Sequence, residues 1–356
     1  MKGLLLAGGH GTRLRPLTFA GNKHMIPIAN RPMLHYGLEN LERAGIRDVG
    51  IILGPIHEGI REALGDGAAF GVRITYIVQG EPKGLAHAIA CAREFLGDEP
   101  FVMHLGDNLL QGGVGPIVRR FETDGPDAVI SVTRVPDARA YGVVELDGER
   151  IVSIVEKPDR PRSDLALVGV YLFTPRIHGI VAGLRPSARG ELEVTEAIWQ
   201  LHQSGARLAV HRVDGWWKDT GKPDDLLEAN EFVLRTRTAW RVDGTVHPGA
   251  VVQGPVDLGA GAIVDAGARV DGPAVIGPRA RLRPGTVIGP STAIGTDVEI
   301  DGASIRRSIV MDRCRVRGRI RLADSILGRD VELVGGAAEP AAEATMVLGD
   351  AARVRL

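Results

Sequence analysis

The chain opens with the stretch LLLAGGHGTRL, residues 4–14, in which an apolar run breaks abruptly into glycines. The apolar run predicts a buried β-strand at the start of the fold. Gly8, Gly9 and Gly11 have no Cβ, so the backbone can turn sharply there and approach a ligand closely. Successive backbone N–H groups in such a turn bind anions, and Arg13 adds a forked positive charge. The stretch therefore predicts a phosphate-binding turn behind the first strand.

Two familiar glycine motifs do not fit this turn. A P-loop requires Gly-Lys followed by Ser or Thr, which is absent here. A dinucleotide fingerprint requires a third glycine where the chain has Leu14. An ordinary glycine-rich connection from a strand to a helix has the same spacing. The turn alone leaves both interpretations open, so the choice depends on motifs further along the chain.

The composition argues against several classes of function. Lys and Arg number 43, and Asp and Glu number 44, so no basic excess favours a nucleic acid or an anionic membrane as a partner. The N-terminal apolar run is too short for a signal peptide, and no apolar stretch approaches the length of a membrane span. The two cysteines, Cys91 and Cys314, predict no disulfide framework or zinc site, which suits a cytoplasmic protein.

Residues 1–238 alternate apolar strands with helical patterns, which is typical of an α/β fold with a mostly parallel sheet. Ligands of open α/β sheets bind beyond the carboxyl ends of the strands. Gly8, Gln79 and Asp107 each follow a predicted strand. The sequence therefore predicts that these three residues meet at one crevice.

Asp107 is the first candidate for metal chemistry. A carboxylate at a strand end can hold a hard cation such as Mg²⁺, but an Asp there can equally form an Asx-turn or cap the next segment. Lys23, taken alone, has the character of a solvated surface charge. Glu191 and Glu193 can serve simply as favourable charges at a helix N-terminus. The residue types by themselves leave these alternatives open.

A six-residue repeat begins near residue 241. Aliphatic residues recur at every sixth position: Val246, Val252, Leu258, Val264, Val270, Ile276, Leu282, Ile288, Ile294 and Ile300. Small residues four positions later keep the same phase. This pattern predicts a parallel β-helix of hexapeptide repeats over residues 241–356, with the aliphatic side chains pointing inward. Beyond Ile300 the phase slips, and later isoleucines predict an irregular continuation.

Several motifs together resemble one enzyme family. The stretch from Leu6 to Leu14, with Lys23 downstream, resembles the signature of sugar-nucleotide pyrophosphorylases. The later motifs resemble its glucose-1-phosphate thymidylyltransferase branch; they are LGDN (105–108), EKP (156–158), GELEVT (190–195) and WWKDTGKP (216–223). The C-terminal repeats resemble the long form of that family. The resemblance implies a Rossmann-like nucleotidyltransferase domain at residues 1–238 and a left-handed β-helix domain at residues 241–356.

The resemblance also implies roles for single residues in a reaction that joins dTTP to glucose 1-phosphate and releases pyrophosphate. Arg13 and Lys23 would stabilise the triphosphate, and Asp107 and Asp219 would bind Mg²⁺. The implied nucleotide-binding residues are Gly8, Gly9, Gly11, Thr12, Gln79 and Gly84. The implied sugar-phosphate-binding residues are Gly142, Glu156, Lys157, Gly169 and Glu193.

One position departs from the family pattern. Thymidylyltransferases usually carry Gln after the signature lysine, and this chain has His24. Discriminating thymine from uracil requires sensing one methyl group, which is worth only about 1–3 kcal/mol in a pocket. A uridylyltransferase that uses UTP is therefore an alternative.

The role of the β-helix also has alternatives. Acyl transfer, as in bifunctional relatives, would require a general base, and His247 is the only histidine from residue 241 onward. We therefore interpret the β-helix as structural and expect it to form a homo-oligomer. A non-catalytic regulatory subunit that binds sugar nucleotides is a further alternative, which the intact Arg13, Lys23, Asp107 and Asp219 disfavour.

Overall fold

The computed structural model describes residues 1–57, 59–336 and 342–356. The chain forms two compact units, residues 1–10 with 34–219 and residues 11–33 with 220–356. The domain division at 238–241 follows the change in sequence pattern and stays a prediction. Residues 337–341 of the predicted β-helix lie outside the described residues.

The first unit is built on a mixed sheet and a two-stranded sheet. Their strands are β1 (Lys2–Ala7), β2 (Asp48–Leu53), β3 (Arg73–Val78), β4 (Phe101–Leu105), β5 (Asn108–Leu110), β6 (Ala128–Arg134), β7 (Gly142–Asp147), β8 (Arg150–Glu156), β9 (Leu165–Phe173), β10 (Leu208–Arg212) and β11 (Trp217–Asp219). The main sheet has the order β8-β7-β9-β4-β1-β2-β3, with β6 beside β9 and β10 beside β6. Strands β4, β1, β2 and β3 are parallel, whereas β9 is antiparallel to β4. The Rossmann-like mixed sheet is confirmed.

Helices alternate with these strands along the chain. They are α1 (Met33–Arg43), α2 (Ile60–Leu64), α3 (Leu85–Cys91), α4 (Arg93–Leu96), α5 (Gly115–Asp124), α6 (Arg176–Gly183) and α7 (Val194–Gln203), with short 3₁₀ turns at Ala68–Phe70 and Ala138–Ala140. Apolar side chains of α3, α6 and α7 form one buried cluster with side chains of the sheet, including those of Leu4, Phe101 and Phe173. Burying this apolar surface is the main stabilising contribution in such a layered fold.

The parallel strands end at one edge of the sheet. Leu6 of β1 pairs with Leu105 of β4 and with Ile52 of β2, so the strand ends stay in step. The N–H of Gly106 donates to Leu6 O (2.9 Å), which extends the ladder past the end of β4. The residues that follow these strands therefore leave the sheet at the same edge, as predicted.

The second unit contains three all-parallel sheets that form the faces of a β-helix. The first face has strands Thr245–Val246, Ile263–Val264, Arg281–Leu282, Glu299–Asp301, Arg315–Arg317, Glu332–Val334 and Arg353–Arg355. The second has Val251–Gln253, Arg269–Asp271, Val287–Ile288, Ser304–Arg306 and Arg321–Ala323. The third has Val256–Leu258, Ala274–Ile276, Thr292–Ile294, Ile309–Val310, Ile326–Leu327 and Val347–Leu348. The fold expected from the repeats, a left-handed β-helix, is confirmed.

The register explains why the sequence repeat slips. Val264 pairs with Leu282, a step of 18 residues, which is three hexapeptides per coil. Further on, Ile300 pairs with Val316, a step of 16 residues. The coils become shorter while their strands stay in register. The six-residue period of the sequence therefore breaks, although the β-helix continues. The predicted inward residues are buried from Leu258 onward. Val246 is 39% exposed because the first coil is covered on one side only.

The second unit also contains a helix and a hairpin. Helix α8 (Pro223–Thr236) precedes the β-helix, and a short hairpin joins Pro27–Ile28 to Arg31–Pro32. Apolar side chains of α8 and the hairpin pack on Val275 and Ala293 of the third face, which buries them. Within the described residues, no helix has both the length and the apolar character needed to cross a bilayer.

Candidate functional site

Gly8, which follows β1, lies against Gln79, which follows β3. A Cβ built on Gly8 would be 2.8 Å from Gln79 Oε1. A Cβ on Gly54, which follows β2, would be 2.2 Å from Gly8 O. A side chain at Gly8 would collide with Gln79, and one at Gly54 would collide with the backbone of Gly8. Both positions therefore require glycine. Two of the predicted nucleotide-binding residues, Gly8 and Gln79, are thus in contact.

The amide of Gln79 is held in one orientation. Its Nε2 donates to Gly84 O (3.3 Å) and lies 3.1 Å from His87 Nδ1. Because the amide nitrogen is the donor, His87 Nδ1 accepts and the imidazole is neutral. Burial lowers the pKa of His87, and the nearby Lys83 lowers it further, which agrees with that state. Sequence reasoning missed His87, although its place in the first turn of α3, just after Gly84, was a usable signal.

Gly84 connects this region to the segment before α7. Its backbone has φ +101°, and a Cβ there would be 2.4 Å from Leu192 O. Leu192 N–H donates to Lys83 O (2.7 Å), and Ala86 N–H donates to Leu192 O (3.0 Å). The loop that carries Gly84 is therefore fixed beside Glu193.

The two predicted metal ligands come together on the small sheet. Asp219, the last residue of β11, pairs with Asn108, the first residue of β5, and Asn108 follows Asp107. Asn108 is buried, and its Nδ2 donates to Asp107 Oδ1 (3.1 Å). Its Oδ1 accepts from Trp217 Nε1 (2.8 Å). The structure thus makes neighbours of two aspartates that are 112 residues apart in the chain.

These two carboxylates suit Mg²⁺. The described residues contain no group of three or more His, Cys, Asp or Glu side chains that could hold a metal by themselves. Mg²⁺, however, usually keeps several waters and binds through one or two carboxylates together with substrate phosphates. A buried amide that holds one of the carboxylates, as Asn108 does, is the usual support of such a ligand.

The five predicted sugar-phosphate residues form a second group in the first unit. Gly142 pairs with Glu156, and a Cβ on Gly142 would be 2.5 Å from Thr195 Cγ2. Lys157 has φ +42°, a strained value for a side-chain-bearing residue, and its N–H donates to Tyr141 O (2.9 Å).

Gly169 links this group to the aspartates. Its N–H donates to Asn108 Oδ1 (3.1 Å), and a Cβ there would be 2.7 Å from the same oxygen. Asn108 therefore contacts a predicted metal ligand on one side and a predicted sugar-binding residue on the other. One buried side chain of the first unit thus connects a residue of each predicted group.

Arg189 joins the two glutamates that are predicted to bind the sugar, and sequence reasoning missed it. Its Nη1 donates to Glu156 Oε1 (3.2 Å) and to Glu193 Oε1 (3.3 Å). Burial raises the pKa of Glu193, while the hydrogen bond from Ser187 Oγ (2.9 Å) opposes that shift. The signal for Arg189 was its position four residues before Glu193, beside the Gly190 turn.

A cleft of about 610 Å³ adjoins Glu156 and Glu193. Its other lining residues include Val155, Thr195, Trp199 and Gln200. The oxygen of Thr195 is buried and has no hydrogen-bond partner in the described structure. Carboxylates, an amide and an aromatic ring around one cleft suit a polyhydroxylated ligand such as a sugar.

The remaining predicted residues lie at or beyond the boundary between the units. Gly9 is exposed after β1, and Gly11, Thr12, Arg13 and Lys23 belong to the second unit. Gly11 has φ +64° and begins the 3₁₀ turn Thr12–Leu14, in which Thr12 and Arg13 are exposed. A Cβ on Gly221 would be 2.7 Å from Arg13 Nη2, so the guanidinium packs directly on the backbone of Gly221.

Lys23 begins a second 3₁₀ turn, Lys23–Met25. Asn22 caps it, because its Oδ1 accepts from His24 N–H (2.8 Å). His24 is buried, and its Nδ1 is also 2.8 Å from Asn22 Oδ1. The residue that departs from the family pattern therefore contributes to the turn that carries Lys23.

Comparison with known proteins gives the same picture. The nucleotidyl transferase family model matches residues 2–236, and the model of the GMPPB C-terminal domain matches residues 270–355. A glucose-1-phosphate thymidylyltransferase of Streptomyces antibioticus is 46% identical over 359 residues, covering 100% of this chain and 99% of that protein. The low-salt glycan biosynthesis nucleotidyltransferase Agl11 of Haloferax volcanii is 46% identical over 337 residues, covering 94% of each.

Among solved structures, a putative glucose-1-phosphate thymidylyltransferase from Bacillus anthracis, in complex with a sucrose, is 36% identical. Its TM-score is 0.63, and the match covers 68% of this chain and 98% of that one.

Proposed function

This chain belongs to the nucleotidyl transferase family, and we propose that it joins dTTP to α-D-glucose 1-phosphate to give dTDP-glucose and pyrophosphate. The observation that carries this proposal is the pairing of β5 with β11, which makes neighbours of Asp107 and Asp219. A chain that had lost catalysis and kept only sugar-nucleotide binding would have no need for this carboxylate pair. The full-length relatives support the choice of dTTP and glucose 1-phosphate.

The reaction needs positioning and charge neutralisation more than covalent chemistry. In our proposal the phosphate oxygen of glucose 1-phosphate attacks the α-phosphorus of dTTP in line, and pyrophosphate leaves from the opposite side. Arg13 and Lys23 stabilise negative charge on the triphosphate, and Lys157 holds the incoming phosphate. Mg²⁺, held by Asp107 and Asp219, would neutralise charge on the phosphate oxygens.

The sugar is recognised by its hydroxyl groups. Glu156 and Glu193 are acceptors for such hydroxyls, and the backbone at Gly142 and Gly169 approaches closely because neither residue has a side chain. Arg189 fixes the two carboxylates relative to each other. A site built on buried, oriented acceptors discriminates strongly against a sugar that lacks the matching hydroxyl.

The base is read by Gln79, whose amide is fixed by Gly84 and His87. Because the amide nitrogen of Gln79 donates to Gly84 O and His87, its amide oxygen is oriented to accept a hydrogen bond. It suits the ring N–H that thymine and uracil share. This arrangement favours a pyrimidine with an N–H at that position. It does not by itself separate dTTP from UTP, and the substitution of His24 for the usual Gln keeps a UTP-dependent uridylyltransferase as the second candidate.

Product identification tests the sugar and the departure at His24. Wild type and His24→Gln are incubated with Mg²⁺, dTTP or UTP, and the 1-phosphates of glucose, galactose and mannose, and the nucleotide sugars are identified by mass spectrometry. We expect dTDP-glucose as the main product. If His24 determines which base the enzyme prefers, His24→Gln shifts the ratio of dTDP-sugar to UDP-sugar. Production of a mannose or galactose nucleotide in preference would contradict the assignment of glucose.

We propose a cytoplasmic location for the enzyme, because nucleoside triphosphates are available there and its two free cysteines stay reduced there. The β-helix is the proposed surface for homo-oligomer formation, because stacked coils offer long, regular faces.

A further inference from the structure

The segment that carries the glycine signature, residues 11–33, belongs to the same compact unit as the β-helix. We propose that the β-helix positions this segment for nucleotide binding, with Asn30, Asn230 and Gly349 as the positioning residues. The inference rests on the proposed function, since it takes Arg13 and Lys23 as triphosphate-binding groups. It gives the β-helix a part in the reaction besides any part in assembly.

The segment has little regular structure of its own. It contains two single-turn 3₁₀ helices, Thr12–Leu14 and Lys23–Met25, and the hairpin of Pro27–Ile28 with Arg31–Pro32. Short turns of this kind fix few backbone dihedrals by themselves. The geometry of Arg13 and Lys23 must therefore be determined by whatever the segment packs against.

One anchor is the turn of the hairpin. Ala29 and Asn30 both have left-handed backbone conformations, with φ +48° and +62°. Ala29 N–H donates to Asn230 Oδ1 (2.9 Å), and Asn230 Nδ2 donates to Ser291 O (3.0 Å) in a coil of the β-helix. Asn230 is completely buried in α8. A single amide thus connects the hairpin to the β-helix, and it leaves two buried groups unsatisfied if it is removed.

Asn30 makes a second connection at the same turn. Its Nδ2 donates to Ile294 O at 2.6 Å, on the third face of the β-helix. Asn tolerates the left-handed conformation better than most residues, so position 30 suits both the turn and the bond. The turn is therefore attached to one coil at two positions three residues apart, Ser291 and Ile294.

The other anchors lie near Arg13 and Lys23 themselves. A Cβ on Gly349, in the last part of the β-helix, would be 2.8 Å from Pro16 O and 3.2 Å from Pro16 Cβ. Arg329 Nη2 lies 3.4 Å from Met25 O. Pro16 is three residues after Arg13, and Met25 is two residues after Lys23. Coils at the far end of the sequence therefore contact the segment close to both cations.

The test uses variants that weaken the contacts between residues 11–33 and the β-helix and are designed to keep the fold. Asn30→Gly preserves the left-handed turn and removes the amide, and Gly349→Ala pushes on the backbone of Pro16. Gly336→Ala is the matched control, because a Cβ at Gly336 meets no atom of the described residues within 4 Å. KM for the nucleotide, KM for glucose 1-phosphate, the melting temperature and amide hydrogen exchange of residues 11–33 are measured for each variant.

We expect both variants to raise the nucleotide KM about three- to tenfold, Asn30→Gly because it loses one hydrogen bond and Gly349→Ala because its methyl group displaces Pro16. KM for glucose 1-phosphate should stay within about twofold of wild type, since its predicted ligands lie in the first unit. Exchange in residues 11–33 should become faster, and Gly336→Ala should behave as wild type in every measurement. Unchanged exchange and unchanged nucleotide KM in both variants would overturn the proposal.

The exchange measurement separates this inference from the proposed function. If wild type shows no turnover but the two variants speed exchange in residues 11–33 and weaken nucleotide binding in calorimetry, the positioning stands and the proposed reaction fails. If wild type is active and the variants raise both KM values or neither, the positioning fails and the reaction stands.

Discussion

Asp219 lies opposite Asn108 in the small antiparallel sheet, which makes it the neighbour of Asp107. The strand β11 that carries it is only three residues long, so the pairing with β5 determines where the carboxylate lies. Trp217 and Gln111 strengthen this pairing, because Trp217 Nε1 donates to Asn108 and Gln111 Oε1 accepts from Trp216 N–H (3.2 Å).

Asp107→Asn and Asp219→Asn should each lower kcat at least about 100-fold in a pyrophosphate-release assay, because each change removes a negative charge from the proposed Mg²⁺ site. Asp214→Asn, which changes an exposed carboxylate shortly before β11, is the control and should retain activity. Full activity of either of the first two variants would contradict the assignment of the metal ligands.

Replacing His87 should affect the nucleotide and spare the sugar. In His87→Leu the Gln79 amide loses one of its two acceptors and can rotate. We expect the nucleotide KM to rise about two- to tenfold, with an unchanged KM for glucose 1-phosphate. His87→Gln offers an acceptor oxygen and should lie nearer to wild type. Equal effects on both substrates would indicate a general disturbance of α3 instead.

The same contact predicts a pH effect. Burial and Lys83 lower the pKa of His87, so the ring is neutral at pH 7 and Nδ1 accepts. When His87 is protonated in acid, Nδ1 becomes a donor facing the Gln79 amide nitrogen. The nucleotide KM of wild type should therefore rise as the pH falls below 6.5, whereas that of His87→Leu should not show this rise. Parallel pH profiles for the two proteins would refute this explanation.

His104 should make the folded protein sensitive to acid. It is completely buried in β4, which lowers its pKa from 6.5 to about 4, although its bond to Leu105 O (2.8 Å) and Asp107 oppose the shift. Between these two values the unfolded chain binds more protons than the folded one, so stability falls as the pH falls through that range. The loss is about 3 kcal/mol at most.

Urea unfolding at several pH values from 7 to 4 measures this contribution. In His104→Leu the decrease in the free energy of unfolding over that range should be smaller than in wild type, whatever its value at pH 7. His10→Leu, at an exposed position, should keep the wild-type decrease. An identical pH dependence for wild type and His104→Leu would show that His104 does not contribute it.

Gly142 tests the sugar side of the site. In Gly142→Ala the new methyl group would meet Thr195 Cγ2 at 2.5 Å and Leu167 Cδ1 at 3.0 Å, beside Glu156. We expect the KM for glucose 1-phosphate to rise about tenfold or more, because overpacking of this kind costs about 1–3 kcal/mol. Gly179→Ala adds the same methyl to open space in α6 and should leave both KM values unchanged.

Local patterns in the sequence were enough to predict the strand ends and the β-helix. Leu4–Ala7 is apolar throughout, and Phe101–Leu105 is apolar except for His104, because parallel strands are buried on both faces. The hexapeptide phase predicted the inward aliphatics as far as Ile300. Shorter coils break the period beyond it, as the register of Ile300 with Val316 shows.

Contacts between distant segments could not be predicted in this way. No spacing indicates that Asp219 pairs beside Asp107, that Arg189 bridges Glu156 and Glu193, or that Gly349 touches Pro16. Each of these depends on how separate elements pack. The resemblance to a family supplied the aspartates and glutamates, but His87 and Arg189 emerged only from the hydrogen bonds of the folded chain.

The most direct test of the central claim is pyrophosphate release with glucose 1-phosphate and Mg²⁺, comparing kcat/KM for dTTP, UTP, ATP, CTP and GTP. We predict the highest value for dTTP, a lower value for UTP, and little release with the other three. Cytosine and adenine lack the ring N–H that thymine and uracil share, and guanine carries its ring N–H on a larger purine. A preference for UTP, for a purine nucleotide or for CTP, or no release with any of the five, would contradict the assignment as a thymidylyltransferase.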